Sequence, residues 1–155
     1  VSPRALRDLY LRAFEICVRQ ARPAAVMTSY NLINGVHTSE SAQLLEVILR
    51  QEWAFDGLVM TDWVVDGMTR SDMKHPRATA AATIKAGNEL FMPGGETDRE
   101  DLLAALERGS EGGGGESDCD AEPVDGAVGL TRAELEKQAA RVIHAARRIA
   151  TISTS

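Results

Sequence analysis

Cysteine, histidine and net positive charge are all scarce in this chain. It has two cysteines among 155 residues, Cys17 within a helical pattern and Cys119 within a polar stretch, and they make no disulfide framework. The three histidines, His37, His75 and His144, stand at no metal-ligand spacing, so neither a metal nor a cofactor is expected. Seventeen Lys and Arg face 23 Asp and Glu, for a net charge of -6. No basic stripe is present to neutralise phosphates, which argues against a nucleic-acid partner. Arg141, Arg147 and Arg148 read as the cations that close a helix. No apolar run approaches the roughly 20 residues of a membrane helix, and no secretory leader opens the chain. Its first residue is Val rather than Met, which reads as a piece of a longer polypeptide whose targeting segment would be lost.

What remains suits one domain, or part of a larger one. Hydrophobic residues make up 44% of the chain, enough to support a core. Ser2 and Pro3 open a helix over 3–21, with Leu6, Leu9, Tyr10, Phe14, Cys17 and Val18 on its inward face; Pro23 ends it. Residues 24–29 read as a buried strand, followed by a loop marked by Asn31, Asn34 and Gly35. A helix over 40–52 buries Leu44, Leu45, Ile48 and Leu49. Asp56-Gly57 is a turn, and 58–60 is a second strand ending near Thr61 and Asp62. Pro76 opens a helix over 76–86, with Gly87 as its C-cap. Residues 89–92 form a third strand.

Thr97 and Glu100 fit a capping box for a helix over 98–108. Residues 109–129 are rich in Gly, Asp and Glu and read as a flexible insertion. The run from Gly112 to Gly115 is no phosphate loop, because no Lys-Ser or Lys-Thr follows. Thr131 and Glu134 form a second capping box for a helix over 132–150, with Leu135, Val142, Ile143 and Ile149 inward. Strands separated by helices imply parallel pairing, and continuous apolar strands imply cover on both faces. Three strands make either a small open sheet or one stretch of an eight-stranded barrel.

In parallel α/β folds chemistry gathers where strands end. The second strand leads to Thr61-Asp62-Trp63: a carboxylate to attack or stabilise an anomeric carbon, beside an indole that offers a flat apolar surface to a pyranose. Taken alone, an Asp after a strand is more often a cap or turn residue, and a Trp beside it more often partial core. Asp66 and Asp72 follow in the next loop, where solvation is the simpler reading. Glu52, late in a helix, reads as a structural partner for an arginine. His37 reads as a solvated residue at the pocket edge. Ser29 and Ser39 sit in no nucleophile motif.

Longer stretches bear on this choice. Val26-Met27-Thr28-Ser29-Tyr30-Asn31, Asn34-Gly35, the run from Leu49 to Gly57 through Glu52-Trp53, Val59-Met60-Thr61-Asp62-Trp63, and Ala86-Gly87-Asn88-Glu89-Leu90-Phe91-Met92-Pro93-Gly94 occur in one order. Together they resemble glycoside hydrolase family 3, β-glucosidase-like branch, over roughly residues 3–108. The resemblance implies an α/β fold, part of a (β/α)8 TIM-type barrel of which about three parallel strands are present, and a retaining glycosidase acting on a β-glucoside or oligosaccharide. By the same resemblance Asp62 is the nucleophile, Trp63 lines the glycone subsite, Tyr30 lies beside the nucleophile and Met27 borders the pocket. Trp63 after the Asp favours the β-glucosidase branch over those with a second Asp or a Cys there. The acid/base, the remaining barrel half and the second domain are then expected outside this chain, leaving little activity to these residues alone. The alternatives are an inactive fragment and a small α/β sugar-binding or interaction module.

Overall fold

The structure, a computed structural model, describes residues 1–69, 75–111 and 128–152. Helix α1 covers residues 3–21, partly with wide turns in which the Leu11 N–H reaches the Leu6 carbonyl five residues back. Ser2 Oγ accepts the Ala5 N–H at 3.1 Å, the N-cap expected before Pro3. Strand β1 is Ala25–Met27, and a small hairpin follows, β2 Leu32–Ile33 and β3 Val36–His37. Its turn is Asn34-Gly35, both with positive φ (52° and 91°), the geometry that favours those two residues between antiparallel strands. Helix α2 is Gln43–Glu52 and strand β4 is Leu58–Trp63. The short α3, Val65–Met68, follows at once. Then come α4, Ala80–Ala86, strand β5, Leu90–Met92, helix α5, Glu96–Glu111, and helix α6, Arg132–Ile152.

The sheet order is β1-β4-β5, all parallel, so β4 is central. This is the expected α/β class: three parallel strands with flanking helices, as in a stretch of a (β/α)8 barrel. The core between sheet and helices holds Val18, Leu45, Ile48, Leu49, Trp53, Phe55, Val59 and Ala86. Burying each large aliphatic side chain contributes about 1.5–3 kcal/mol. A second cluster, Ala81, Ile84, Ala105 and Leu130, joins α4 and α5 to the start of α6. Gly57 is required by contact: a Cβ there would lie 2.4 Å from the Ala24 carbonyl oxygen at the foot of β1.

Several expectations need correction. On α1 only Val18 is buried; Leu9, Tyr10 and Phe14 are exposed, because α1 meets the core through Leu11 and Val18, a stripe seven residues apart. Pro76 does not start a helix. Its carbonyl accepts from His37 Nε2 at 2.8 Å, and the Thr79 N–H goes to Glu40 at 2.7 Å. These ties hold the segment extended until Thr79 caps α4, accepting the Ala82 N–H. Thr97 is not a cap, since α5 begins at Glu96, the Gly95 carbonyl takes the Arg99 N–H, and the Thr97 hydroxyl donates to Asp66 instead. Ile143 is exposed, because the inward stripe of α6 runs through Leu135, Gln138, Val142 and Ala145. Of the segment 109–129, residues 109–111 continue α5, and 112–127 lie outside the described residues with Cys119. Other expectations stand as read. Gly87 caps α4 at φ 115°, and Thr131 and Glu134 form the reciprocal capping box of α6, with N–H to side-chain distances of 2.8 and 3.2 Å.

A charged network binds α6 to the foot of the sheet. Glu89, whose side chain is fully buried, accepts the Val59 N–H at 2.6 Å and pairs with Arg50 and, at 3.2 Å, with Arg141. Arg141 also reaches Glu46 at 2.7 Å and Gln138 at 2.8 Å, while Gln138 donates to the Ile84 carbonyl. Arg50 further donates to the Gly57 carbonyl at 3.1 Å.

Candidate active site

β4 alternates as a strand covered by helices must. Val59 and Thr61 are fully buried on the helix side, and Met60 and Asp62 project to the other face. Parallel register pairs Met27 with Met60, so Met27 shares that face with Asp62. The same register brings Met27, Asp62, Trp63 and Met92 to one end of the sheet, the C-terminal ends of all three strands.

There the local bonding is dense. Asp62 Oδ1 accepts the N–H of Trp63 at 2.7 Å. The Tyr30 hydroxyl, arriving from the loop after β1, donates to the Trp63 carbonyl at 2.5 Å. The Asp62 carboxylate is its other neighbour. Burial first, then the hydrogen bond to Asp62 and its negative charge, raise the Tyr30 phenol above its ordinary 10.0, against the pull of the Trp63 carbonyl. Tyr30 therefore stays protonated, a donor across the working pH range. Trp63 and Met27 remain open, 56% and 58% exposed. All four residues singled out from the sequence thus lie at one end of the sheet, and Tyr30 directly contacts the Asp62–Trp63 pair.

The loop that carries Tyr30 is itself fixed. Thr38 Oγ1 donates to the Ser29 carbonyl at 2.5 Å and accepts the Ser29 N–H at 3.1 Å. Below it Thr28 donates to the Met60 carbonyl and to Asn88 at 3.4 Å each. His37 is not at a solvated pocket edge. It is only 3% exposed, because pleat alternation in β3 turns Val36 outward and His37 inward. His75 packs on Gly35, where a Cβ would come within 3.0 Å of its ring.

Asp66 and Glu52, the other described carboxylates singled out from the sequence, are engaged elsewhere. Asp66 accepts the Gly67 N–H at 2.8 Å and the Thr97 hydroxyl at 3.3 Å, on the wall of a shallow cavity of about 120 Å³ shared with Asp98 and Asp101. Asp72 lies outside the described residues. Glu52 is a structural partner, as read, bound to Arg7 at 2.5 Å. The larger cavity, about 430 Å³, lies between α1 and the end of α2, where Arg7, Arg12 and Arg19 line it with Glu15 and Glu52. It shares no residue with the Asp62 group. Its arginines are already paired with its carboxylates.

Residues 1–116 match the glycosyl hydrolase family 3 N-terminal domain. The chain belongs to glycosyl hydrolase family 3. Among family relatives, it is 45% identical over 104 residues to an exo-α-(1→6)-L-arabinopyranosidase of Bifidobacterium longum, covering 67% of this chain and 12% of that protein. It is 46% identical over 110 residues to a β-glucosidase of Rhizobium radiobacter, covering 70% and 12%. In structure it resembles β-glucosidase 3B of Thermotoga neapolitana in complex with glycerol. The TM-score is 0.70 at 31% identity, over 94% of this chain and 17% of the other. The chain thus spans 12% of the length of these two relatives.

Sequence reasoning missed the buried cluster of Glu89, Arg50 and Arg141. A signal was present, since a glutamate opening an apolar strand must find a partner or lose its charge. It also passed over Thr61, whose side chain accepts the Met92 N–H at 2.9 Å.

Proposed function

We propose that these residues form the C-terminal portion of the catalytic barrel domain of a retaining, β-glucosidase-like glycoside hydrolase, with Asp62 as nucleophile. One Asp62 carboxylate oxygen attacks the anomeric carbon of a terminal β-linked glucose. The bond from that carbon to the aglycone oxygen breaks, and the aglycone leaves with a proton from an acid/base carboxyl. Water, deprotonated by the same carboxyl, then displaces Asp62 and restores it. Trp63 offers its exposed ring to the apolar face of the sugar. The Tyr30 hydroxyl, bonded to the Trp63 carbonyl, stands beside Asp62 and holds the backbone that carries it, and Met27 borders the pocket on the same face.

The observation that carries this reading is the placement of Asp62. It stands at the C-terminal end of the central strand, between an exposed indole and a tyrosine hydroxyl. The β-glucosidases among its relatives support the substrate class, as does a structure of β-glucosidase 3B of Thermotoga neapolitana in complex with glucose, with TM-score 0.60 and 38% identity over 71% of this chain and 15% of the other. A retaining mechanism needs a second carboxyl about 5–5.5 Å from the first. We assign that group, with the rest of the barrel and a second domain, to sequence beyond these 155 residues, consistent with the small share of its relatives that the chain spans. The arabinopyranosidase relative makes the corresponding arabinopyranoside the competing substrate.

The test is hydrolysis of aryl β-glucoside and aryl α-L-arabinopyranoside by this chain and by the longest product of its reading frame. Activity in the longer product that falls on the order of 10⁴-fold or more in Asp62→Asn is the expected result. Activity of the short chain alone would overturn the assignment of the acid/base to another segment. Full activity in Asp62→Asn would overturn the role of Asp62.

A further inference from the structure

We propose that Thr61 is a positioning residue for Asp62, acting through the peptide of Met92; this rests on the reading of Asp62 as nucleophile. The pairing of β4 with β5 is irregular at this point. Met60 faces Leu90 and Trp63 faces Met92, three steps on β4 against two on β5. The surplus residue on β4 falls at Thr61-Asp62, making a bulge at the strand end that carries the carboxylate. A bulge interrupts the ladder and increases the local twist, so the aim of the carboxylate beside it depends on how the extra residue is held.

Two bonds fix this bulge, and both end on Met92. Thr61 Oγ1 accepts the Met92 N–H at 2.9 Å, and the Met92 carbonyl accepts the Val64 N–H at 2.6 Å. The Asp62-Trp63 pair is therefore held from both sides by the backbone N–H and carbonyl of one residue of the neighbouring strand. Val64 is in the left-handed region, φ 51°, uncommon for a β-branched residue. Such a backbone persists only where its surroundings enforce it. Thr61 is fully buried on the helix face, so it touches neither Asp62's side of the sheet nor any sugar bound there. Without its hydroxyl the register of β4 on β5 loses a specific anchor, and a one-residue slip turns Asp62 to the opposite face.

Trapping with 2-deoxy-2-fluoro-β-glucosyl fluoride reads the attack step alone. Asp62 oxygen bonds to the anomeric carbon, fluoride leaves, and the covalent product is located by peptide mass. In the longest product of the reading frame, Thr61→Val, which keeps shape and loses the acceptor, should trap about 10–100-fold more slowly, the cost of a misplaced reacting group. Thr61→Ser, which keeps the hydroxyl, should trap within about threefold of the parent on the same ground. The pair Thr61→Ser and Thr61→Ala repeats the comparison on a smaller side chain if the valine variant does not fold. Equal trapping rates with and without the hydroxyl, while the parent is labelled on Asp62, would overturn the role of Thr61 alone. A parent labelled elsewhere, or not at all, would overturn the nucleophile assignment and this inference with it.

Discussion

At the scale of single residues, the role proposed for Tyr30 rests on where its hydroxyl lies. That hydroxyl secures the Trp63 carbonyl and faces the Asp62 carboxylate. Replacing Tyr30 with Phe should therefore lower kcat/KM for an aryl β-glucoside by about 10-fold, through loss of the bond to the Trp63 carbonyl and of the hydroxyl beside Asp62. Steady-state kinetics on the longest product of the reading frame checks this, and an unchanged kcat/KM would remove Tyr30 from the site. Asp62, Trp63 and Tyr30 were legible in the sequence because they stand in a motif. Thr61 was not, because its importance lies in a bulge. A bulge is a mismatch between two strands, and neither strand alone encodes it. His37 was misread for a related reason: the two-residue strand that turns it inward has no periodicity to detect.

At the scale of elements, apolar runs located the three parallel strands and apolar periodicity the longer helices, while the β2–β3 hairpin and α3 fall where loops were read, and helix starts followed tertiary bonds. Thr79 rather than Pro76 opens α4 because bonds to His37 and Glu40 hold the intervening backbone extended. Helix α6 is the clearest case of an element held by charge. For Glu46, burial acts upward, but the hydrogen bond and charge of Arg141, followed by Lys137, outweigh it and hold the carboxyl below its ordinary 4.5. A carboxylate with a depressed folded pKa contributes stability that is complete above its unfolded value and is lost as pH falls through the folded one. Thermal melts from about pH 7 to about pH 3 should therefore show a decline below about pH 4.5 that Glu46→Gln flattens, with a lower melting point for the variant at neutral pH. An identical decline in both proteins would mean that Glu46 does not couple α6 to α2. Glu89 works in the opposite sense, its carboxyl raised by burial despite the Val59 N–H, Arg50 and Arg141. The test therefore belongs to Glu46.

At the scale of the whole molecule, two kinds of surface coexist. The helix side of the sheet is closed by a continuous core. The strand-end face and the outer side of α1 expose Leu9, Tyr10, Phe14, Met27, Trp63 and Met68. Exposed apolar residues on this scale, with β1 and β5 as sheet edges, favour association. Residues 1–155 expressed alone should bind a hydrophobic dye and sediment as assemblies at micromolar concentration. A monomer that unfolds cooperatively would instead favour an independent α/β module over a portion of a larger barrel. The sequence foretold the class of fold. The openness of α1 escaped it, because an apolar stripe shows that a face is suited to burial and not which neighbour covers it.

The network that seats α6 has a consequence for how the chain tolerates change. Leu135, Gln138, Arg141 and Arg148 tie the helix to three separate parts of the fold: the α4–α5 cluster, where Gln138 takes the Ile84 carbonyl, the Glu46 and Glu89 carboxylates, and Asp56. None of these bonds runs through residues 112–127. A backbone cut anywhere in that segment would leave the last helix seated by its own side chains. Two polypeptides divided within 112–127 should therefore reassemble on mixing and recover one melting transition, and failure to associate would mean that the covalent link is needed to seat α6.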